Sequence, residues 1–321
     1  MQNLLTPFLT YQGTIILDGG LATELEKRGY DLNDPLWSAK ILLEQPEAIY
    51  WVHWDYLKAG ADVLITASYQ ATVAGFMARG LEEAAAVDLL LSSIRIATKA
   101  RDDFWAVEAH RHNRLRPLVA ASIGPYGAYL ANGAEYTGDY DLDEAGLVDF
   151  HRRRWHLLAN SGADLLACET IPSLSEARAY VQLLAETPDT AAWFCFSCRD
   201  GRHISDGTLL ADCGRYLEPL PQVAAMGINC TAPRFVPELI TQLQSVTHKP
   251  IVVYPNSGES YDPVQKCWLG ESVPEEYGTS GREWRKLGAA AIGGCCRTRP
   301  SHILALSTRL KRVKKEGTEG D

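Results

Sequence analysis

Three cysteines in this chain of 321 residues have the type and spacing to do chemistry together. Cys230 closes the tetrapeptide Gly-Ile-Asn-Cys, and Cys295 and Cys296 stand side by side after Ala-Ala-Ala-Ile-Gly-Gly. Three thiolates around one ion leave a tetrahedral position vacant, which is the pattern of a catalytic rather than a structural zinc site. Neighbouring side chains of a regular strand point to opposite faces, so Cys295 and Cys296 can share an ion only where the backbone leaves strand geometry. Gly293 and Gly294, immediately before them, offer that freedom. The competing reading is that cysteine is a small core residue and the pair is chance. Cys230, at the end of another strand-like run, favours the shared site.

The other cysteines lack such company. Cys195 and Cys198 have the spacing of a metal or redox pair. They sit in the apolar run AWFCFSC, however, with no second pair and no helix start to tune a thiol. Cys195 reads as core and Cys198 as filler at a strand end. Cys168 packs within a strand, and Cys213 and Cys267 have no partners. The eight histidines show no metal spacing. His110 and His112 are expected in solvent, as is His151 on an exposed helix face. His203 is the histidine placed to reach a pocket.

Strand-like runs recur at 14–18, 62–68, 118–124, 164–170, 192–197, 224–230, 250–256 and 290–296, with amphipathic segments between them. Continuous apolar runs suit parallel strands covered on both faces by helices. Eight such units predict a (β/α)8 TIM barrel as a single domain, with a doubly wound open sheet as the alternative. Residues 1–13 form an N-terminal extension, 14–310 the barrel and 311–321 a solvated tail. The turn-rich tract 258–281 reads as a long loop after the seventh strand, and long loops are often functional. Asp-Gly-Gly, Ala-Ser-Tyr-Gln, Glu-Thr, Asn-Cys and Gly-Gly-Cys-Cys all fall at strand ends. In a barrel those ends ring one pocket, where such enzymes react.

Charge narrows the partners. Forty acidic against 31 basic residues give a net charge of −9, which argues against nucleic acid or an anionic membrane. No apolar run approaches the ~20 residues of a membrane span, and the first residues lack a signal-peptide pattern. The expected compartment is the cytoplasm, where cysteines are free or metal-bound rather than a disulfide framework.

The motifs DGGLATEL, ITASYQAT, GPYGAYL, LLACETIP, GINC, VYPNSGE and GGCCRT resemble those of the zinc-dependent homocysteine S-methyltransferases. The likeness is greatest to the bacterial and plant branch that uses S-methylmethionine, and it spans nearly the whole chain. It implies a homocysteine-binding barrel, one zinc per chain held by Cys230, Cys295 and Cys296, and methyl transfer to homocysteine to give methionine. By the same resemblance Asp18 and Glu169 grip the acceptor's ammonium. Backbone N–H groups of Gly19 and Gly20 are candidates for its carboxylate, and Thr66, Ser68, Gln70 and Asn229 match pocket positions. Tyr126, Tyr129 and Trp268 are aromatic candidates for the donor's cation. Zinc deprotonates a bound thiol, and a sulfonium leaves as a neutral thioether, so no strong general acid is required. S-adenosylmethionine, glycine betaine or methylcobalamin as donor, selenocysteine as acceptor, and a non-enzymatic zinc protein are the alternatives. The oligomeric state is left open.

Overall fold

The structure is a computed structural model that describes residues 3–32, 39–262, 267–269 and 272–311. Eight strands carry the architecture: β1 (Ile15–Ile16), β2 (Val63–Ile65), β3 (Leu118–Ile123), β4 (Leu165–Ile171), β5 (Ala192–Phe196), β6 (Val223–Asn229), β7 (Ile251–Tyr254) and β8 (Ala289–Ile292). Every pairing is parallel and joins strands consecutive in sequence, from β2 round to β8. β8 then pairs with β1, Ala291 opposite Ile15. The ring closes where Leu17 bridges Val63. The open-sheet alternative is therefore excluded, and the chain is a (β/α)8 barrel.

Alternation along the strands builds two cores. On β5, Trp193 and Cys195 point inward to a cluster with Val252 and Tyr254. Ala192, Phe194 and Phe196, between them, point outward to the helices. Full burial of each large apolar side chain contributes roughly 1.5–3 kcal/mol, so both faces of a strand favour the barrel over any flat, half-wet sheet. Among the described residues no helix is long and apolar enough to cross a membrane.

The base of the barrel is plugged by residues read from sequence as an extension. A helix, Thr6–Gln12, follows Leu5, which with Phe8 joins the inner cluster. Fully buried Asp62, just before β2, accepts hydrogen bonds from Ile16 N (2.9 Å), from the Gln12 amide and from Lys311 Nζ (2.7 Å). Both ends of the described chain thus converge on one carboxylate.

Two expectations need correction. The tract 258–281 is not all loop: it holds a short antiparallel hairpin, Ser260–Asp262 with Cys267–Leu269, and then the start of the helix Pro274–Lys286. Gly278 and Gly281 sit inside that helix because the last helix, Pro300–Leu310, packs against them. A Cβ on Gly281 would lie 2.2 Å from Leu306 Cδ2. His151 is not exposed either. It is fully buried on the helix Glu144–Ala159, with Nε2 2.7 Å from Glu176 Oε1 and Nδ1 3.0 Å from an Arg154 nitrogen. Burial pushes its pKa down to about 4, so the ring is neutral, donating to Glu176 and accepting from Arg154.

Candidate active site

At the C-terminal mouth of the barrel the strand ends enclose a cavity of about 420 Å³. Cys230, Cys295 and Cys296 line it, with their Sγ atoms all within 4.8 Å of one another. Among the described residues no other group of three metal-ligating side chains gathers this way. The Sγ atoms of Cys230 and Cys296 are 3.7 Å apart. Two sulfurs held at ~2.3 Å on one tetrahedral ion would stand about 3.8 Å apart, so the donor set fits a metal. Cys230 and Cys295 are joined as a disulfide in the structure, against the expectation of free or metal-bound thiols. Sulfurs gathered closely enough to share an ion are also close enough to couple when oxidised. A metal requires the reduced pair.

The local backbone explains how adjacent cysteines reach one point. β8 ends at Ile292, and the Cys295 and Cys296 peptides bond across to the segment after β7: Cys295 N donates to Pro255 O (2.8 Å) and Ser257 N donates to Cys296 O (3.0 Å). Gly293 and Gly294 contribute close approach rather than unusual dihedrals. A Cβ on Gly294 would lie 2.2 Å from Thr298 Oγ1, and one on Gly293 2.5 Å from Leu17 Cβ. Left-handed residues around the site instead include Cys230 (φ 44°), Ala131 (φ 52°), Thr170 (φ 59°) and Arg297 (φ 68°). Strain of this kind costs on the order of 1–3 kcal/mol per residue and persists where surrounding contacts over-determine it.

Asp18 and Glu169 face the same cavity and are almost wholly buried. Burial holds the Asp18 carboxyl well above its ordinary range, against the pull of the Ile65 N–H (2.9 Å), with the Glu169 charge adding to the rise. Burial likewise pushes Glu169 up to about 7, opposed by the hydroxyls of Ser122 and Tyr254. Burial also raises the Cys296 thiol, to about 11, so it does not ionise unaided at neutral pH. Asn229 Oδ1 accepts from Thr170 N (2.7 Å), and Asn229 Nδ2 donates to Thr170 Oγ1 (2.8 Å).

Thr66, Gln70 and Asn229 line the cavity, as do Gly19 and Gly20, although Gly20 N–H already donates to Thr298 Oγ1 at 3.1 Å. Ser68 stands behind the wall. It is fully buried, 2.7 Å from Thr66 Oγ1, and donates to Ser122 O. His203 stays outside, with Nδ1 3.0 Å from Asp200. Tyr126 and Tyr129 do not face the cavity; both pack on Phe150, at 4.7 and 5.1 Å between ring centroids. The side chain of Trp268 lies outside the described residues. Sequence reasoning missed Tyr69, Glu135 and Tyr136, which also line the cavity. Tyr69 adjoined residues already singled out, whereas Glu135 and Tyr136 lie well past β3 with no motif to mark them.

A closed parallel barrel with buried carboxyls and a three-thiol cluster that could hold a metal ion at its C-terminal mouth defines an enzyme of the (β/α)8 class. The sequence profile of the homocysteine S-methyltransferase family matches residues 15–310. The homocysteine S-methyltransferase YbgG of Bacillus subtilis (strain 168) is 56% identical over 300 residues, covering 94% of this chain and 95% of the relative. Among solved structures, the metallated form of the homocysteine methyltransferase MmuM from Escherichia coli superposes with a TM-score of 0.84 at 47% identity, covering 95% of this chain and 99% of that one. The oxidized form of that protein gives the same TM-score at 48% identity and the same coverage. The chain belongs to the homocysteine S-methyltransferase family, and it is a methyltransferase.

Proposed function

We propose that this enzyme transfers a methyl group from S-methylmethionine to homocysteine, forming methionine, and that it depends on one zinc ion held by Cys230, Cys295 and Cys296. The observation that carries this reading is the meeting of three thiols and two buried carboxyls in a single cavity. Bound zinc would supply the charge that keeps the acceptor's sulfur deprotonated at neutral pH. Three cysteinates neutralise the ion and leave one net negative charge, so the acceptor's sulfur stays electron-rich.

The chain's own residues do the positioning. Asp18 and Glu169 take the acceptor's ammonium, and the Gly19 N–H is available for its carboxylate. Thr66 and Asn229, fixed by their own hydrogen bonds, shape the wall between carboxyls and thiols. In the transfer, the acceptor's sulfur bonds to the methyl carbon while the carbon–sulfur bond of the donor breaks. The electron pair stays on the donor's sulfur, which departs as a neutral thioether. The leaving group needs no proton, in keeping with a cavity wall that includes no histidine among the described residues.

The test is methionine formation by the reduced, zinc-loaded protein, with S-methylmethionine, S-adenosylmethionine and glycine betaine supplied in parallel. Turnover greatest with S-methylmethionine supports the reading. Turnover with betaine alone, or with no donor, overturns it.

A further inference from the structure

The cavity wall holds three carboxyl groups, Asp18, Glu169 and Glu135, and among the described residues no lysine, arginine or histidine. The proposed acceptor has one ammonium, which Asp18 and Glu169 serve from the strand ends. Glu135 comes from elsewhere, on the short turn Ala134–Tyr136 beyond β3. Its Oε2 is sealed from solvent and has no hydrogen-bond partner. Burial raises the Glu135 carboxyl above its ordinary range, as expected where no cation answers it.

Glu135 is held in place rather than left to find a partner. Ser197 Oγ donates to Glu135 O at 3.1 Å. Gly127 lies so close beneath the turn that a Cβ there would stand 2.3 Å from Glu135 N. The preceding Tyr126 N–H is fixed at 2.6 Å from Glu176 Oε1, the carboxylate that also bonds buried His151. A half-buried carboxylate with one oxygen unpaired, on a braced turn at the wall of a cavity without cations, is complementary to a cationic ligand.

We infer that Glu135 is a specificity-determining residue for a cationic methyl donor, its carboxylate facing the positive charge of the donor's sulfonium centre. This rests on the methyl-transfer reading above. The chemistry predicts where the effect falls. When the sulfur–methyl bond breaks, its electron pair stays on the donor's sulfur and the positive charge disappears. Attraction to Glu135 is therefore strongest with bound donor, weaker in the transition state and absent with the thioether product. An interaction of that kind lowers the donor's KM without raising kcat and does nothing to hold the product.

The experiment is steady-state kinetics of Glu135→Gln, which keeps the size of the side chain and removes its charge, with folding checked by thermal unfolding. The inference expects the KM for S-methylmethionine to rise about 10- to 100-fold, the range of a lost charged hydrogen bond. It expects kcat to be unchanged or raised and the KM for homocysteine to be little changed. A second arm measures inhibition by 2-amino-5-methylhexanoate, an isostere that keeps the ammonium and carboxylate but has a neutral carbon in place of the sulfonium sulfur. Its inhibition constant should be the same for both proteins. An active wild type whose Glu135→Gln variant keeps the donor KM overturns the inference alone. So does an equal loss of affinity for the sulfonium and the isostere, which would mark a merely structural role. A wild type inactive with S-methylmethionine and S-adenosylmethionine alike overturns the inference together with the reading beneath it.

Discussion

Asn229, the last residue of β6, clasps Thr170 of β4 at two points, accepting from its N–H at 2.7 Å and donating to its hydroxyl at 2.8 Å. The clasp joins the residue before Cys230 to the residue after Glu169, so one thiol of the cluster and a buried carboxyl share one support. It also holds a β-branched residue at φ 59°, a conformation that such side chains rarely adopt.

Replacing Asn229 by Ala removes both bonds and leaves a buried N–H without a partner. Such a group costs about 1–3 kcal/mol, and urea unfolding should show a loss of that size. Catalytic efficiency should fall as well, because Thr170 is then free to relax away from φ 59° and to move Glu169 with it. Unchanged stability and activity would show that the clasp is incidental.

Glu169 makes the protein sensitive to pH. Its folded pKa of about 7 lies above the ordinary 4.5, so the fold favours the neutral acid. The stability gained is complete below about pH 4.5 and is lost as pH rises through about 7. Metal-free protein should therefore be less stable at pH 8 than at pH 5, and Glu169→Gln should flatten that trend. Binding the acceptor's ammonium needs the opposite form. The kcat/KM for homocysteine should rise through about pH 7, and the ratio of wild-type to Glu169→Gln profiles isolates this group from the titration of the substrate thiol.

Cys296→Ser replaces a soft thiolate with a hydroxyl that does not ionise near neutral pH. Zinc content, measured by atomic absorption after dialysis, should drop from one per chain toward zero, and methionine formation should be nearly abolished. A variant that retains stoichiometric zinc and full turnover would remove Cys296 from the ligand set.

At the other end of the barrel, Asp62→Ala strands Lys311 next to an emptied, buried site. Breaking a buried pair by removing one partner costs roughly 3–5 kcal/mol. Chemical denaturation should report that loss, while the kinetic constants of the folded protein stay near wild type because the cavity lies at the opposite mouth.

The sequence carried the barrel well because parallel strands are apolar on both faces, and eight such runs leave few alternatives. It carried the thiol cluster because cysteines at strand ends converge once the sheet closes. It failed where packing overrides local composition. His151 and Arg154, in a run of four charged or polar residues, are buried because Glu176 and the carbonyl of Gly124 await them across the barrel wall. Gly278 and Gly281 look like turn residues, yet they lie in a helix that needs close contact with its neighbour. Glu135 was illegible because its cavity-facing position comes from the fold of the turn rather than from any spacing.

The most direct test is zinc K-edge X-ray absorption of the reduced, zinc-loaded protein, before and after homocysteine is added. The account predicts three protein sulfurs at about 2.3 Å at first, and four sulfurs with the acceptor bound. Four protein ligands at the outset, unchanged by homocysteine, would contradict it.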